Sequence, residues 1–209
     1  MQNYHDQFQK YWAQFSKSIN LRPAQSESLS SILFHCYVGN YYHTHQHIVE
    51  CLGLFHEIKD QLEDPVAVEL AIWFHDAIYD PQASDNEEKS AKFMQKHCVG
   101  ILKKTKLEKV ARWIIATQKH LPTKEHDLQY LLDIDLAILA SSAQRFAEYE
   151  QQIRQEYDWV DAQLYVIKRR EVLTHFYEIA PLYQTLYFRK KLELSAKMNL
   201  RNAINKTLN

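Results

Sequence analysis

Glycine is scarce in this chain. Gly39, Gly53 and Gly100 are the only three in 209 residues. Neither a G-x-G-x-x-G dinucleotide turn nor a Walker loop can be assembled from them. With only five prolines beside them, the chain also lacks the turn residues of a strand-dense protein. Cysteine is scarce and odd in number: Cys36, Cys51 and Cys98, with no C-x-x-C spacing. This argues against a disulfide framework or a thiolate zinc site and fits a reducing compartment. The three are expected to act as small core hydrophobes. No apolar run reaches 18 residues, and Met1-Gln-Asn-Tyr-His-Asp6 has no apolar signal segment. A cytoplasmic protein that makes no use of a membrane is expected. An excess of either charge is missing too. Lys plus Arg number 25 and Asp plus Glu 26, for a net charge of −1. No global field draws the chain to a nucleic-acid polymer or to anionic lipid.

What is present is helical periodicity. Hydrophobic residues make up 46% of the chain, enough for one sizeable core. Tyr4, Phe8, Tyr11, Trp12, Phe15 and Ile19 share one face of a helix over 3–19. Leu29, Ile32, Leu33, Cys36 and Tyr37 repeat the pattern over 26–37, and Gly39-Asn40 ends it. A helix over 43–62 turns Ile48, Cys51, Leu52, Phe55 and Ile58 inward. Asp64-Pro65 supplies an N-cap and a first-turn proline for a helix to Phe74 that is apolar on most faces and therefore central. Ser84, Asp85, Glu87 and Glu88 offer two overlapping capping boxes for a helix to His97. Further helices are expected over 107–117, 128–140, 143–157 and 161–178, with a last one after Pro181. The expectation is an all-α fold in a single domain: an N-terminal helix (1–25), a core (26–140) and a C-terminal helical layer (141–209).

The chemistry-bearing residues lie at the margins of these helices. His75-Asp76 ends the apolar run Leu70-Ala-Ile-Trp-Phe74. Upstream, His43 and His47 are four apart and share a helical face, while His45 points elsewhere. Downstream, Asp133 and Asp135 sit in the apolar run Leu131–Leu139, where an ionised carboxylate needs a partner. Their i, i+2 spacing keeps them off a common face, so at most one is a direct ligand. Imidazoles and carboxylates in this order make a mixed nitrogen and oxygen donor set, suited to a divalent ion that activates water. His120 is a further candidate for the same centre.

The order His47, His75-Asp76, Asp135 resembles the HD-domain superfamily of metal-dependent phosphohydrolases. The closer likeness is to a bacterial branch with the texture Tyr42-His-Thr-His-Gln-His-Ile48, Trp73-Phe-His-Asp-Ala-Ile-Tyr79, Asp85-Asn-Glu-Glu-Lys-Ser-Ala91 and Leu132-Asp-Ile-Asp-Leu-Ala-Ile-Leu139. The likeness spans about residues 37–200. It implies an HD-like helical bundle with added C-terminal helices, in which His47, His75, Asp76 and Asp135 are the metal ligands. It departs from the branch at Asn40-Tyr41, where an arginine often precedes the Tyr-His pair, and at Ala140, where a glycine often stands.

The resemblance further implies hydrolysis of a small phosphate ester, with a nucleotide as first choice. A cyclic nucleotide, a pyrophosphate or a non-catalytic sensor role are the alternatives. Mn²⁺, Fe²⁺, Co²⁺, Ni²⁺ and Mg²⁺ all suit the donor set. Asp76, His120 and Glu87 are the expected catalytic groups. His43, Arg154 and Arg169 are expected to meet the substrate's charge. Homo-oligomerisation is compatible with the sequence.

Overall fold

The structure is a computed structural model that describes residues 4–206. It is all helical: ten α-helices, two short 3₁₀ turns and, among the described residues, no strand. The helices are α1 (Tyr4–Ser18), α2 (Pro23–Cys36), α3 (His45–Ile58), α4 (Pro65–Phe74), α5 (Asn86–Cys98), α6 (Lys104–Ala116), α7 (His126–Asp135), α8 (Ala143–Glu156), α9 (Ala162–Glu178) and α10 (Leu186–Lys206). None of them is long and apolar enough to cross a membrane. Each expected helix is found, most within three residues of its expected ends. The exception is the segment expected over 128–140. There α7 gives way after Asp135 to a 3₁₀ turn, Leu136–Ala140. The chain divides into two compact units, Met1–Leu131 and Leu132–Asn209.

In the first unit α4 is the centre, as its all-round apolar sequence requires. Every residue from Ala67 to Phe74 is buried. Trp73 takes the rings of Phe8 and Trp12 edge-on, at centroid distances of 4.8 and 5.3 Å. Such ring pairs add about 0.5–1.5 kcal/mol each beyond the area they bury. Asp64 caps the helix by accepting from the Ala67 N–H at 3.2 Å, with Pro65 in the first turn. Its carboxylate also takes Lys106 and Lys109 of α6, both at 2.7 Å. The Asp127 carboxylate receives the backbone N–H groups of Glu63 and Asp64. The start of α4 is thereby tied to α6 and α7.

The capping boxes expected at α5 do not form. Asp85 makes no cap hydrogen bond, because its carboxylate pairs with Lys89 one turn on. Asn86 and Ser90 instead turn back to the preceding loop. Asn86 Oδ1 accepts from the Asp80 N–H and its Nδ2 donates to the Asp80 carbonyl. Ser90 Oγ accepts from the Ile78 N–H and donates to the Ile78 carbonyl. The segment following His75-Asp76 is therefore held at two points. Of the cysteines, Cys51 and Cys98 are buried as expected, while Cys36 is partly exposed.

In the second unit, α10 packs on α9 and on the 3₁₀ turn. It buries Phe188, Ala196 and Leu200. Asn199 Nδ2 donates to the Leu139 and Ser141 carbonyls, and the Glu193 carboxylate receives the Leu182 and Tyr183 N–H groups.

Glu69 is the anomaly of α4. It is buried, and its Oε1 has no hydrogen-bond partner. Burial pushes its carboxyl up to about 7, against a smaller pull from the Trp73 indole and from Lys59. The folded state thus holds a proton that the unfolded chain releases near its ordinary value of 4.5. That contribution is fully present below about pH 4.5 and is lost as pH rises through about 7. A gap of this size corresponds to about 3 kcal/mol. Glu69→Gln is expected to match the wild type in denaturant unfolding at pH 5 and to exceed it by about 2–3 kcal/mol at pH 8. A difference independent of pH would show that Glu69 does not titrate in this window.

Candidate metal centre

His47 is the third residue of α3, whose N-cap Thr44 accepts from the Gln46 N–H. His75 is the C-cap of α4, and Asp76 follows it. The buried ends of the two helices bring these side chains together. His47 Nε2 and His75 Nε2 are 3.1 Å apart. Asp76 Oδ2 lies 2.9 Å from His75 Nε2 and 3.3 Å from His47 Nε2.

The opposite edge of each ring is anchored. His75 Nδ1 donates to the Ile72 carbonyl at 3.0 Å. A carbonyl can only accept, so this nitrogen carries the proton and the neutral ring presents its Nε2 as a lone pair. His47 Nδ1 lies 3.1 Å from the Tyr42 hydroxyl, whose oxygen can accept its proton. Two imidazole lone pairs and a carboxylate oxygen then face one point. Such a group is stable only with positive charge at its centre, supplied by protons or by a cation.

Asp135 is the last residue of α7, a helix that begins in the first unit. Within the first unit, His47, His75 and Asp76 each offer one ligand atom, all within 4.8 Å of one another, and could hold one metal ion. Bonds of about 2.1 Å at right angles set neighbouring ligand atoms about 3.0 Å apart, close to the spacings seen here. The donors are borderline to hard, which fits Mn²⁺, Fe²⁺, Co²⁺, Ni²⁺ or Mg²⁺ without choosing among them.

Asp133, two residues earlier, has another task. It is buried, and both its oxygens are engaged. Oδ1 accepts from the Gln184 N–H, and Oδ2 from the Thr185 N–H and hydroxyl, all at 2.7 Å. It orders the chain entering α10. Burial still raises its carboxyl to about 6, with the three hydrogen bonds pulling the other way.

Burial alone would raise Asp76 as well. When protons rather than a cation supply the positive charge of this centre, the charges of His75 and His43, with the hydrogen bonds of His47 and His75, outweigh burial and hold its carboxyl well below the usual range. His43 is stacked on Tyr79, with centroids 3.7 Å apart and planes at 24°. Cys51 Sγ lies 3.7 Å from His47 Nδ1.

The remaining candidates lie at varied distances from this chemistry. His120 ends the turn after α6 with φ +48, where its N–H bonds to the Ala116 carbonyl. Glu87 accepts from Gln118 Nε2 at 3.2 Å, and the same Gln118 nitrogen donates to the Ser84 carbonyl. Arg154 donates to the Tyr157 and Val160 carbonyls and lies over the Tyr165 ring. Arg169 is buried, pairs with Glu150 and lies over the Tyr149 ring. Both arginines are thus engaged within the second unit. His45, as expected, turns away: it stacks on Phe34 and its Nε2 meets the Phe34 carbonyl. Sequence reasoning missed Tyr42 and the Ile72 carbonyl as orienting groups. Tyr42 stood in the quoted Tyr-His run, but nothing in spacing says that a phenol five residues back reaches a ring nitrogen.

No family model, curated protein or solved structure matches this chain.

Two contrasts test this centre. Asp135→Ala is expected to weaken Co²⁺ binding, followed by calorimetry, at little cost in stability. Asp133→Ala is expected to lower stability by about 3 kcal/mol, because it strands three donors, while Co²⁺ affinity in the folded fraction stays the same. Tyr42→Phe is expected to weaken Co²⁺ binding about 10–100-fold with an unchanged melting temperature. Equal affinity in Tyr42→Phe would remove the phenol from the orientation of His47.

Proposed function

We propose that the chain is a metal-dependent phosphohydrolase of the HD-domain type, acting on a small phosphate ester of the nucleotide class. The observation that carries this reading is the convergence of two outward-anchored imidazoles and the Asp76 carboxylate on one point. Mixed nitrogen and oxygen donors of this kind serve water activation rather than a structural thiolate role. The resemblance of the His47, His75-Asp76, Asp135 order to the HD superfamily supplies the reaction class.

A divalent ion held there supplies a lowered water pKa and a Lewis acid for a phosphoryl oxygen. The chain's own residues do the rest. His47 and His75 bind through Nε2, their rings fixed by Tyr42 and the Ile72 carbonyl. Asp76 stays anionic and can accept a proton from the attacking water at its carboxylate. His43, stacked on Tyr79 beside that carboxylate, offers a hydrogen bond or a positive charge to the phosphate. His120 is our candidate for protonating the leaving oxygen, and Glu87 for ordering a water. The segment after Asp76, pinned through Asn86 and Ser90, keeps these groups in register.

The test is phosphate release from nucleoside monophosphates, cyclic nucleotides and simple esters, with Mn²⁺, Co²⁺, Ni²⁺ or Mg²⁺ added in turn. Release is expected only with metal, and is expected to fall to background in Asp76→Ala. His120→Gly separates chemistry from folding. Glycine adopts the positive φ of this position without strain, so stability should hold or rise by up to about 1 kcal/mol. Turnover should fall about 10²–10⁴-fold if His120 transfers a proton. Metal-loaded, folded protein that binds nucleotide but releases no phosphate would make the site a sensor instead.

A further inference from the structure

The helix α9 is the most exposed of the second unit. Over its 17 residues only Arg169 and Leu173 are buried. Its outward side carries Val166 and Ile167, which are 42% and 56% exposed, in a groove continued by Arg170, Thr174 and Glu178. Two charges of opposite sign lie on this side. Lys168 pairs with Glu171, Arg145 with Glu148 and Arg169 with Glu150. Arg170 and Glu178 make no ion pair among the described residues, and they are opposite in sign.

Their spacing makes the face self-complementary. Arg170 and Glu178 are eight residues, or about 12 Å, apart along the helix, and Thr174 lies midway. At 100° per residue, Ile167, Arg170, Thr174 and Glu178 fall within one 80° sector. An antiparallel copy of the same helix, related by a two-fold axis at Thr174, sets each Arg170 level with the other copy's Glu178. It forms two equivalent ion pairs, and the small Thr174 lets the backbones approach at the axis. Ile167 and Val166 lie on the flanks of this contact and lose exposure. A two-fold contact of one patch with itself is the commonest way soluble chains associate.

We propose that the outward face of α9 is the two-fold interface of a homodimer, with Arg170 of one copy paired to Glu178 of its partner. A 17-residue helix is about 26 Å long. Its face covers less than the roughly 800 Å² per partner of a standard interface, so the dimer is a weak, concentration-dependent one.

The test is sedimentation of the full chain from about 1 to 200 µM, with helicity checked by circular dichroism. The wild type is expected to pass from monomer to dimer over this range. Arg170→Glu, Glu178→Arg and Ile167→Asp are each expected to remain monomeric at full helicity. The double variant Arg170→Glu/Glu178→Arg is expected to dimerise again, because the pairs re-form with reversed signs. A wild type that is monomeric throughout overturns the proposal. So does a dimer that the single variants leave intact, and so does a double variant that stays monomeric.

Discussion

Much of the first unit's chemistry follows from one constraint: two imidazole nitrogens with lone pairs are forced to within 3.1 Å of each other beside a carboxylate oxygen. Neither ring can turn away. His75 is tied by Nδ1 to a carbonyl of its own helix, one turn back. That helix is α4, buried on all sides and capped through Asp64. His47 meets Tyr42 on its outer edge, and Tyr42 is itself buried. Rotating either imidazole would leave a buried donor unpaired, at about 1–3 kcal/mol. The electrostatic conflict at the centre is therefore built into the packing, and positive charge resolves it. In this physical sense the packing leaves a group that could hold a metal ion.

The loop after Asp76 serves the same end. The sequence offered Ser84, Asp85, Glu87 and Glu88 as the capping-box residues of α5 and gave no separate role to Asn86 and Ser90. In the structure their hydrogen bonds run backward to Asp80 and Ile78. A capping box needs free carboxylates in the first turn, and Asp85 is taken by Lys89. The pattern was right about the start of a helix and wrong about the partners. Sequence spacing sees one turn of helix, whereas the demand for these side chains came from a loop folded against it.

The same boundary separates what could be read from what could not elsewhere. The helices were legible because 3.6-residue periodicity is local, and α4 was legible as central because it is apolar all round. His75-Asp76 was legible as adjacent ligands because they are adjacent in the chain. The choice between Asp133 and Asp135 was not settled by spacing, which says only that they face different ways. What distinguishes them is a set of donors about 50 residues later, Gln184 and Thr185, which saturate Asp133. Arg154 and Arg169 show the converse. Their type suggested phosphate recognition, but each is engaged by carbonyls, a carboxylate or an aromatic ring close by in its own unit.

Three largely enclosed carboxyls, Glu69, Asp133 and Asp76, show how far burial by itself is from a functional signal. All three feel the same first force, desolvation, which opposes ionisation. Glu69 has little to offset it, and its carboxyl rises to about 7. Asp133 receives three hydrogen bonds and the smaller pull of the Arg189 charge, and it still stands at about 6. Asp76 faces chargeable imidazoles, and it alone of the three is held well below the ordinary range. A carboxyl that is partly protonated near neutrality makes a poor ligand, because the proton competes with the ion. Asp76 is therefore the one of these three that the neighbouring imidazoles keep anionic. What selects it is the company of His75 at the end of α4 and of His47 and His43, brought in by α3 and the turn before it, and not its depth in the core.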